Sequence, residues 1–120
     1  LIGHLISLCR ASGVSADIDP AAVPIISYEI HELVNLGCVP QGPRDNLNGT
    51  TVLVDWVRTD ETCKILLTDA QTSGGLMLCV AEANLKNVQM VLRKAGTPSA
   101  ALIGRIVPQR RRRPVICMTG

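Results

Sequence analysis

Aromatic side chains are nearly absent from this chain of 120 residues. They make up 2% of it, with no Phe, a single Tyr at Tyr28 and a single Trp at Trp56. Because single-stranded bases are commonly held by stacking on aromatic side chains, this scarcity argues against that kind of nucleic-acid binding. The hydrophobic fraction is nevertheless 47%. The core must therefore consist of Leu, Ile, Val, Ala and Met.

A strong charge of either sign is also missing. The formal net charge is +2, so no overall field directs the chain to nucleic acid or to a membrane surface. No apolar run approaches the ~20 residues that a membrane-spanning helix needs. The local exception is a row of four arginines at residues 110–113. We expect a solvated turn between two strands there, with a patch that contacts phosphate or nucleic acid as the alternative.

The cysteines show no pairing pattern. Their number is odd and no C-x-x-C pair occurs, which argues against a disulfide framework and against a zinc knuckle. Three of them lie among aliphatic residues and are expected to be buried. A reducing, cytoplasmic compartment fits this usage. The five are Cys9, Cys38, Cys63, Cys79 and Cys117, of which Cys9, Cys79 and Cys117 are the aliphatic set.

Periodicity predicts three helices. Residues 1–12 carry an apolar helical pattern that ends at Gly13, and residues 28–36 repeat it after a Ser27 cap and before Gly37. Residues 82–95 form the clearest amphipathic pattern. Since the chain has no initiator Met and starts inside a helical pattern, we expect it to be part of a larger protein.

Strands are predicted between these helices. Residues 14–18 alternate, with Asp17 on a solvent-facing side, and Asp19-Pro20 then caps a short helical turn. Residues 37–50 are rich in Pro, Gly and Asn and predict a loop. The strands expected further along are 51–57, 76–80 (apolar, buried on both faces), 100–107 and 114–118. Residues 1–120 are thus predicted to be a single, partial α/β domain of the two-layer α+β kind, with a mixed sheet packed against helices.

Residues 67–76, Leu-Thr-Asp-Ala-Gln-Thr-Ser-Gly-Gly-Leu, are the most informative stretch. Small hydroxyls beside two glycines allow backbone N–H groups to converge on an anion. The same residues would also make a tight turn that leads into a buried strand. The pattern is neither a P-loop nor a dinucleotide fingerprint.

The segment from Asp69 to Leu76 resembles the D-P/A-Q-T-S-G-G-L signature of selenophosphate synthetases. Other stretches resemble the same family in the same order: Leu-Ile-Gly-His-Leu at 1–5, Gly-Cys-Val-Pro at 37–40, and Ala-Leu-Ile-Gly-Arg-Ile-Val at 101–107. The resemblance covers nearly the whole chain. One loop departs from the family's V-P-G-G-T-x-R-N: here Gln41, Pro43 and Asp45 replace Gly, Thr and Arg, while the second glycine, Gly42, and Asn46 are retained.

The resemblance implies the C-terminal domain of an aminoimidazole ribonucleotide synthetase-like fold, truncated at its N-terminus. It implies a parent enzyme that uses ATP, Mg²⁺, water and selenide to make selenophosphate, AMP and orthophosphate. The family's catalytic Cys (or selenocysteine), its Lys and its metal-binding aspartates precede the first residue of this chain. The resemblance therefore implies no catalytic and no metal-binding residue here, and a missing N-terminal domain as partner.

The fragment would then supply one wall of the nucleotide and phosphate cleft. An alternative function is a non-catalytic association domain, and a homo-oligomer is expected in either case. For His4, a packed or capping side chain is the alternative to a position lining the site, and Asp69 is expected to cap a turn. The candidate phosphate-binding residues are Gly3, His4, Gln71, Thr72, Ser73, Gly74 and Gly75.

Overall fold

The computed structural model describes residues 1–97, 99–112 and 114–120. A mixed four-stranded sheet forms within them, with strand order β2-β4-β1-β3. Strand β1 runs parallel to β4 and antiparallel to β3, and β2 runs parallel to β4. The strands are β1 (Val14–Ile18), β2 (Val54–Asp55), β3 (Gly104–Pro108) and β4 (Ile116–Met118).

The described residues also form five α-helices, and two short 3-10 turns lie at Pro20–Ala22 and Glu82–Asn84. Helices and a mixed sheet together confirm the predicted two-layer α/β class. None of these helices has the length and apolar character needed to cross a membrane. The helices are α1 (Ile2–Ser12), α2 (Glu29–Asn35), α3 (Gln41–Thr50), α4 (Glu61–Leu67) and α5 (Leu85–Lys94).

Helix α1 provides the largest share of the core. Its buried residues are Ile2, Leu5, Ile6 and Cys9, a spacing that places all four on one face. They belong to one cluster with residues of β1 and β4. Full burial of an aliphatic side chain contributes on the order of 1.5–3 kcal/mol. The helix ends as predicted at Gly13, whose φ of 63° is left-handed.

The pairing of β1 with β3 depends on a glycine. Ile18 is the register partner of Gly104, and a Cβ at Gly104 would overlap the carbonyl oxygen of Asp17. Only a residue without a side chain allows this approach of the two strands. Gly104 thus fixes where the edge strand β3 can lie.

Several predicted caps are confirmed. The N–H of Ala21 donates to Asp19 Oδ1 at 3.0 Å, which starts the turn at Pro20–Ala22. The N-cap of α2 is Tyr28 and not the predicted Ser27, although Ser27 Oγ accepts from the N–H of Glu29 at 3.3 Å. Gly37 and Gly96 follow α2 and α5 with φ of 82° and 73°.

The prediction of a loop at residues 37–50 is wrong, because α3 occupies residues 41–50. Pro43 lies in its first turn, where the missing N–H has no helical partner to lose. Asn46 Nδ2 donates to the carbonyl oxygen of Thr68 at 2.9 Å. Tertiary contacts of this kind outweigh the poor helix propensity of Gly and Asn. Helix α4 was not predicted from the sequence. Its N-cap is Asp60, whose carboxylate accepts from the N–H of Cys63 at 2.8 Å.

The strand predicted at residues 76–80 is also wrong. The segment has no strand partner within the described residues, and Leu76 is 94% exposed. Among residues 76–80, Met77 alone packs against the core. An apolar run predicts a buried segment, but it does not show which neighbouring strand can form hydrogen bonds with the backbone of that segment. At residues 51–57, likewise, only Val54–Asp55 is a strand.

Two predicted buried faces are more open than expected. In α2, Leu33 is 49% exposed, and Ile30 and Val34 are half-buried. In α5 no residue is buried, and Val91 is 61% exposed. Both helices are amphipathic, but within the described residues little packs against their apolar faces.

Candidate phosphate-binding site

The signature turn, residues 71–75, lies on the surface. All five of its residues, Gln71, Thr72, Ser73, Gly74 and Gly75, are exposed. The side chain of Gln71 folds over Gly74, where an added Cβ would lie 2.6 Å from Gln71 Oε1. Neither glycine has a positive φ, so an unusual backbone angle does not account for them. The turn is therefore open to a ligand.

Hydrogen-bond donors of the turn are unengaged within the described part of the chain. The hydroxyls of Thr72 and Ser73 make no protein hydrogen bond there, and neither do the backbone N–H groups of residues 71–75. Adjacent backbone N–H groups and small hydroxyls are the groups with which proteins bind phosphate. The turn can chemically serve as an anion site without breaking any existing contact.

The base of the turn is anchored by Thr68, which ends α4 and is 3% exposed. Its hydroxyl lies 2.8 Å from the carbonyl oxygen of Lys64 and 3.2 Å from that of Pro43. Its own carbonyl oxygen accepts from Asn46. The turn therefore extends from a point held by both α3 and α4.

Two helix N-termini approach the start of the turn. The position of a Cβ on Gly42, in the first turn of α3, lies 3.7 Å from Cβ of Ala70. At the start of α1, burial lowers the pKa of the Leu1 amino group, and the Asp69 carboxylate opposes this by raising it. The Asp69 charge therefore acts on the start of α1, although no ion pair joins Asp69 to Leu1 within the described residues. Helix N-termini each carry a partial positive charge of roughly half a unit, which favours an anion at this junction.

Gly3 and His4 lie in the first turn of α1, and both are exposed. The His4 side chain makes no capping hydrogen bond among the described residues. Nothing lies within 4 Å of a Cβ added at Gly3. The structure thus places Gly3 and His4 at the end of α1 that approaches Asp69. No hydrogen bond joins His4 to residues 71–75 in the described ranges.

Asp69 does not act as the predicted turn cap, since its carboxylate makes no hydrogen bond to the turn among the residues described. The Asp69 carboxylate instead acts on the Leu1 amino group at the start of α1, whose pKa it raises against the effect of burial. A carboxylate in this place complements the positive end of that helix.

Comparison with known proteins gives the same assignment as the motifs. Residues 1–116 match the family described as AIR synthase related protein, C-terminal domain. This chain belongs to that family. The sequence-based resemblance is thereby confirmed.

Curated proteins similar to this chain are named selenide, water dikinase. The one from Clostridioides difficile (strain 630) is 34% identical over 110 residues, which cover 91% of this chain and 31% of the relative. Those from Photorhabdus laumondii and Escherichia coli (strain K12) are 35% and 34% identical over 116 residues, or 97% of this chain and 32% of each relative. The chain spans about a third of the length of the relatives it matches.

Three of the thiols have a raised pKa, which disfavours a role as nucleophile. Burial raises the pKa of Cys9, and Cys79 adds to the increase. Burial also raises the pKa of Cys63 and Cys117, although Arg110 partly opposes the effect at Cys117. A reactive thiol needs a lowered pKa. Of the three thiols expected to be buried, Cys9 is buried, Cys117 is half-buried, and Cys79 is exposed, so that prediction is wrong for Cys79.

The arginine row is not a solvated turn throughout. Arg110 is tied to β1: its N–H donates to Ser15 Oγ at 3.0 Å and its Nη1 to the carbonyl oxygen of Ala16 at 3.3 Å. Its Nη2 lies 2.5 Å from Asp17 Oδ1, so Asp17 does not face solvent as predicted. Arg111 and Arg112 are exposed, and Arg113 lies outside the described residues.

Magnesium requires several oxygen ligands, commonly carboxylates. In the described ranges no three His, Cys, Asp or Glu side chains lie close enough together to hold a metal ion. The donor set of these residues therefore does not fit Mg²⁺ by itself.

Asn46 is the positioning residue that sequence reasoning missed. It is retained, as Gly42 is, in a stretch where Gln41, Pro43 and Asp45 depart from the family pattern, and this retention was the available signal. The structure shows its use, since it holds the Thr68 carbonyl below the signature turn.

Proposed function

We propose that this chain forms the C-terminal wall of the nucleotide and phosphate cleft of an ATP-dependent selenophosphate synthetase and is not catalytic alone. The parent reaction converts ATP, selenide and water to selenophosphate, AMP and orthophosphate. The similarity of this chain to proteins named selenide, water dikinase supports this class of reaction. The proposal includes a cytoplasmic location, which the five free cysteines support.

The observation that carries the proposal is the signature turn itself. It is exposed, its hydroxyls and N–H groups are unengaged in the described residues, and its base is fixed by Thr68 and Asn46. The N-termini of α1 and α3 approach the residues that precede it. Unengaged donors near the positive N-terminus of α3 support the binding of a phosphate group, whereas Asp69 already offsets the positive end of α1.

In the proposed mechanism, this chain positions phosphoryl groups and does not react with them. Thr72, Ser73 and the N–H groups of residues 71–75 would donate to phosphate oxygens, which limits their motion and offsets their charge. Bound Mg²⁺ would neutralise phosphate charge, and its ligands would come from outside this chain. The raised thiol pKa values of Cys9, Cys63 and Cys117 support a nucleophile that lies elsewhere.

A fusion enzyme tests the proposal. The chain replaces the matched region of the Escherichia coli relative, and ³¹P NMR follows ATP with selenide. We expect selenide-dependent formation of AMP by the fusion and none by the chain alone. AMP formation by the chain alone would disprove the non-catalytic role. A folded fusion that binds ATP but forms no AMP, while the parent relative does, would contradict the cleft assignment.

Exposed apolar side chains favour a second function, association with another protein or with a second copy. Leu76 is 94% exposed and Ile26 is 93% exposed, and α5 buries no residue. Exposed apolar side chains that group into one contiguous patch are typical of interaction sites. Light scattering after size exclusion would show a dimer or larger species if the chain associates with itself, and a monomer across a concentration series would count against this.

A further inference from the structure

A second concave surface lies among α2, α3 and α4 and shares no residue with the signature turn. We call it the three-helix groove. Its volume is about 590 Å³, which falls within the range of small-molecule sites. Residues that define it are Val34, Asn35, Arg44, Leu47, Asn48 and Ile65.

One side of the three-helix groove is apolar. Val34, Leu47 and Ile65, one from each helix, line it and are half-buried. A hydrogen bond of 2.7 Å from Thr62 Oγ1 to Asn35 Oδ1 joins α4 to α2. The bonds of Asn46 and Thr68 join α3 to the end of α4. The walls are therefore linked to one another and form a defined surface for an apolar group.

The polar side of the groove carries the guanidinium of Arg44. Glu61, the carboxylate at the rim, pairs with Lys64 at 2.6 Å, and Asp45 accepts from Gln41 Nε2 at 2.7 Å. Arg44 has no carboxylate partner among the described residues. Asn48 follows it by one helical turn, and its side-chain amide makes no hydrogen bond within the same ranges. Arg44 and Asn48 thus offer unused donors on one face of α3.

We propose that the three-helix groove binds a small organic anion, a compact apolar body that bears one carboxylate or phosphate group. The body lies against Val34, Leu47 and Ile65. The anionic group accepts from Arg44, whose planar guanidinium matches both carboxylate and phosphate, and from Asn48. This site is additional to the proposed phosphate cleft.

Titration of the ¹⁵N-labelled chain followed by NMR tests the proposal. The probes are phenyl phosphate and phenylacetate, with inorganic phosphate and benzyl alcohol as controls that each lack one half of the ligand. We expect shifts at Val34, Leu47 and Asn48 with the first two probes, and at least tenfold weaker binding of both controls. The tighter of the two probes identifies the preferred anionic group.

Substitution of Arg44 provides a second test of the groove. Arg44→Ala is expected to weaken binding at least tenfold, and Arg44→Lys less, because it keeps the charge without the fork. Arg93→Ala, at an exposed helical arginine outside the groove, is the matched control and should bind like the original chain. Equal affinity of Arg44→Ala and Arg93→Ala would overturn the proposal, and so would shifts confined to residues 71–75. Unchanged circular dichroism of the variants excludes loss of fold as the cause.

Discussion

Arg110 and Asp17 form an ion pair across 93 residues of sequence, with Nη2 of the guanidinium 2.5 Å from Oδ1 of the carboxylate. Both side chains are largely shielded, at 29% and 17% exposure. Arg105, the register partner of Asp17 on β3, approaches the same carboxylate at 3.8 Å but is 78% exposed. The ion pair therefore joins the segment after β3, which carries Arg110, to Asp17 on the interior strand β1. Arg105 contributes less to this link.

Removal of this link should destabilise the fold. For Arg110→Ala we expect a loss of about 1–2 kcal/mol in the free energy of unfolding, because a shielded, charge-assisted bond and a bond to a carbonyl are lost. Arg111→Ala removes an exposed side chain and should change it by less than about 0.5 kcal/mol. Urea denaturation measures both. Equal effects of the two substitutions would contradict a special role for Arg110.

A pair of Gly→Ala substitutions tests the packing of β1 against β3. Gly104→Ala places a methyl group against the Asp17 carbonyl and should destabilise the chain by about 1–3 kcal/mol or more. Gly49→Ala, in α3 with nothing within 4 Å of the new Cβ, should stabilise it by about 0.5–1 kcal/mol. Thermal melting gives the sign of each change. A tolerated Gly104→Ala would show that the two strands are not so close.

The stability should also depend on pH through the buried thiol of Cys9. Burial raises its pKa in the folded chain, whereas an unfolded thiol titrates at about 8.5. The folded state then retains its proton at a pH where the unfolded chain has lost it. The contribution of the Cys9 thiol to the free energy of unfolding is fully present below about pH 8.5. It is lost as the pH rises towards the pKa of that thiol in the folded chain. Unfolding free energies between pH 8 and 10 should therefore fall less steeply for Cys9→Ala than for the original chain, and equal slopes would contradict the assignment.

Local patterns predicted the elements whose structure depends on nearby residues. In α1, the buried positions Leu5 and Cys9 and the stop at Gly13 are short-range features, and they are confirmed, whereas Leu8, predicted on the same face, is 36% exposed. The same holds for the cap at Asp19. The family signature also directed attention to residues 71–75, which the structure places in an open turn.

What the sequence could not reveal depends on distant partners. The poor helix formers Gly42 and Asn46 lie in α3, where Asn46 bonds to Thr68, 22 residues away. Arg110 is shielded because Asp17 lies beside it in space, although 93 residues separate the two in sequence. Residues 76–80 have the composition of a strand, but pairing requires a free backbone edge in the right place. No periodicity contains that information.

NMR titration of the ¹⁵N-labelled chain shows whether the signature turn contacts phosphate. ATP with Mg²⁺ is added in the presence of the Escherichia coli relative's segment that precedes the matched region. We expect shifts at the amides of Thr72, Ser73 and Gly74, and at least about tenfold weaker binding by the Thr72→Ala/Ser73→Ala variant, which loses two donors. Binding of ATP with no shift in residues 71–75, and with equal affinity for this variant, would contradict it.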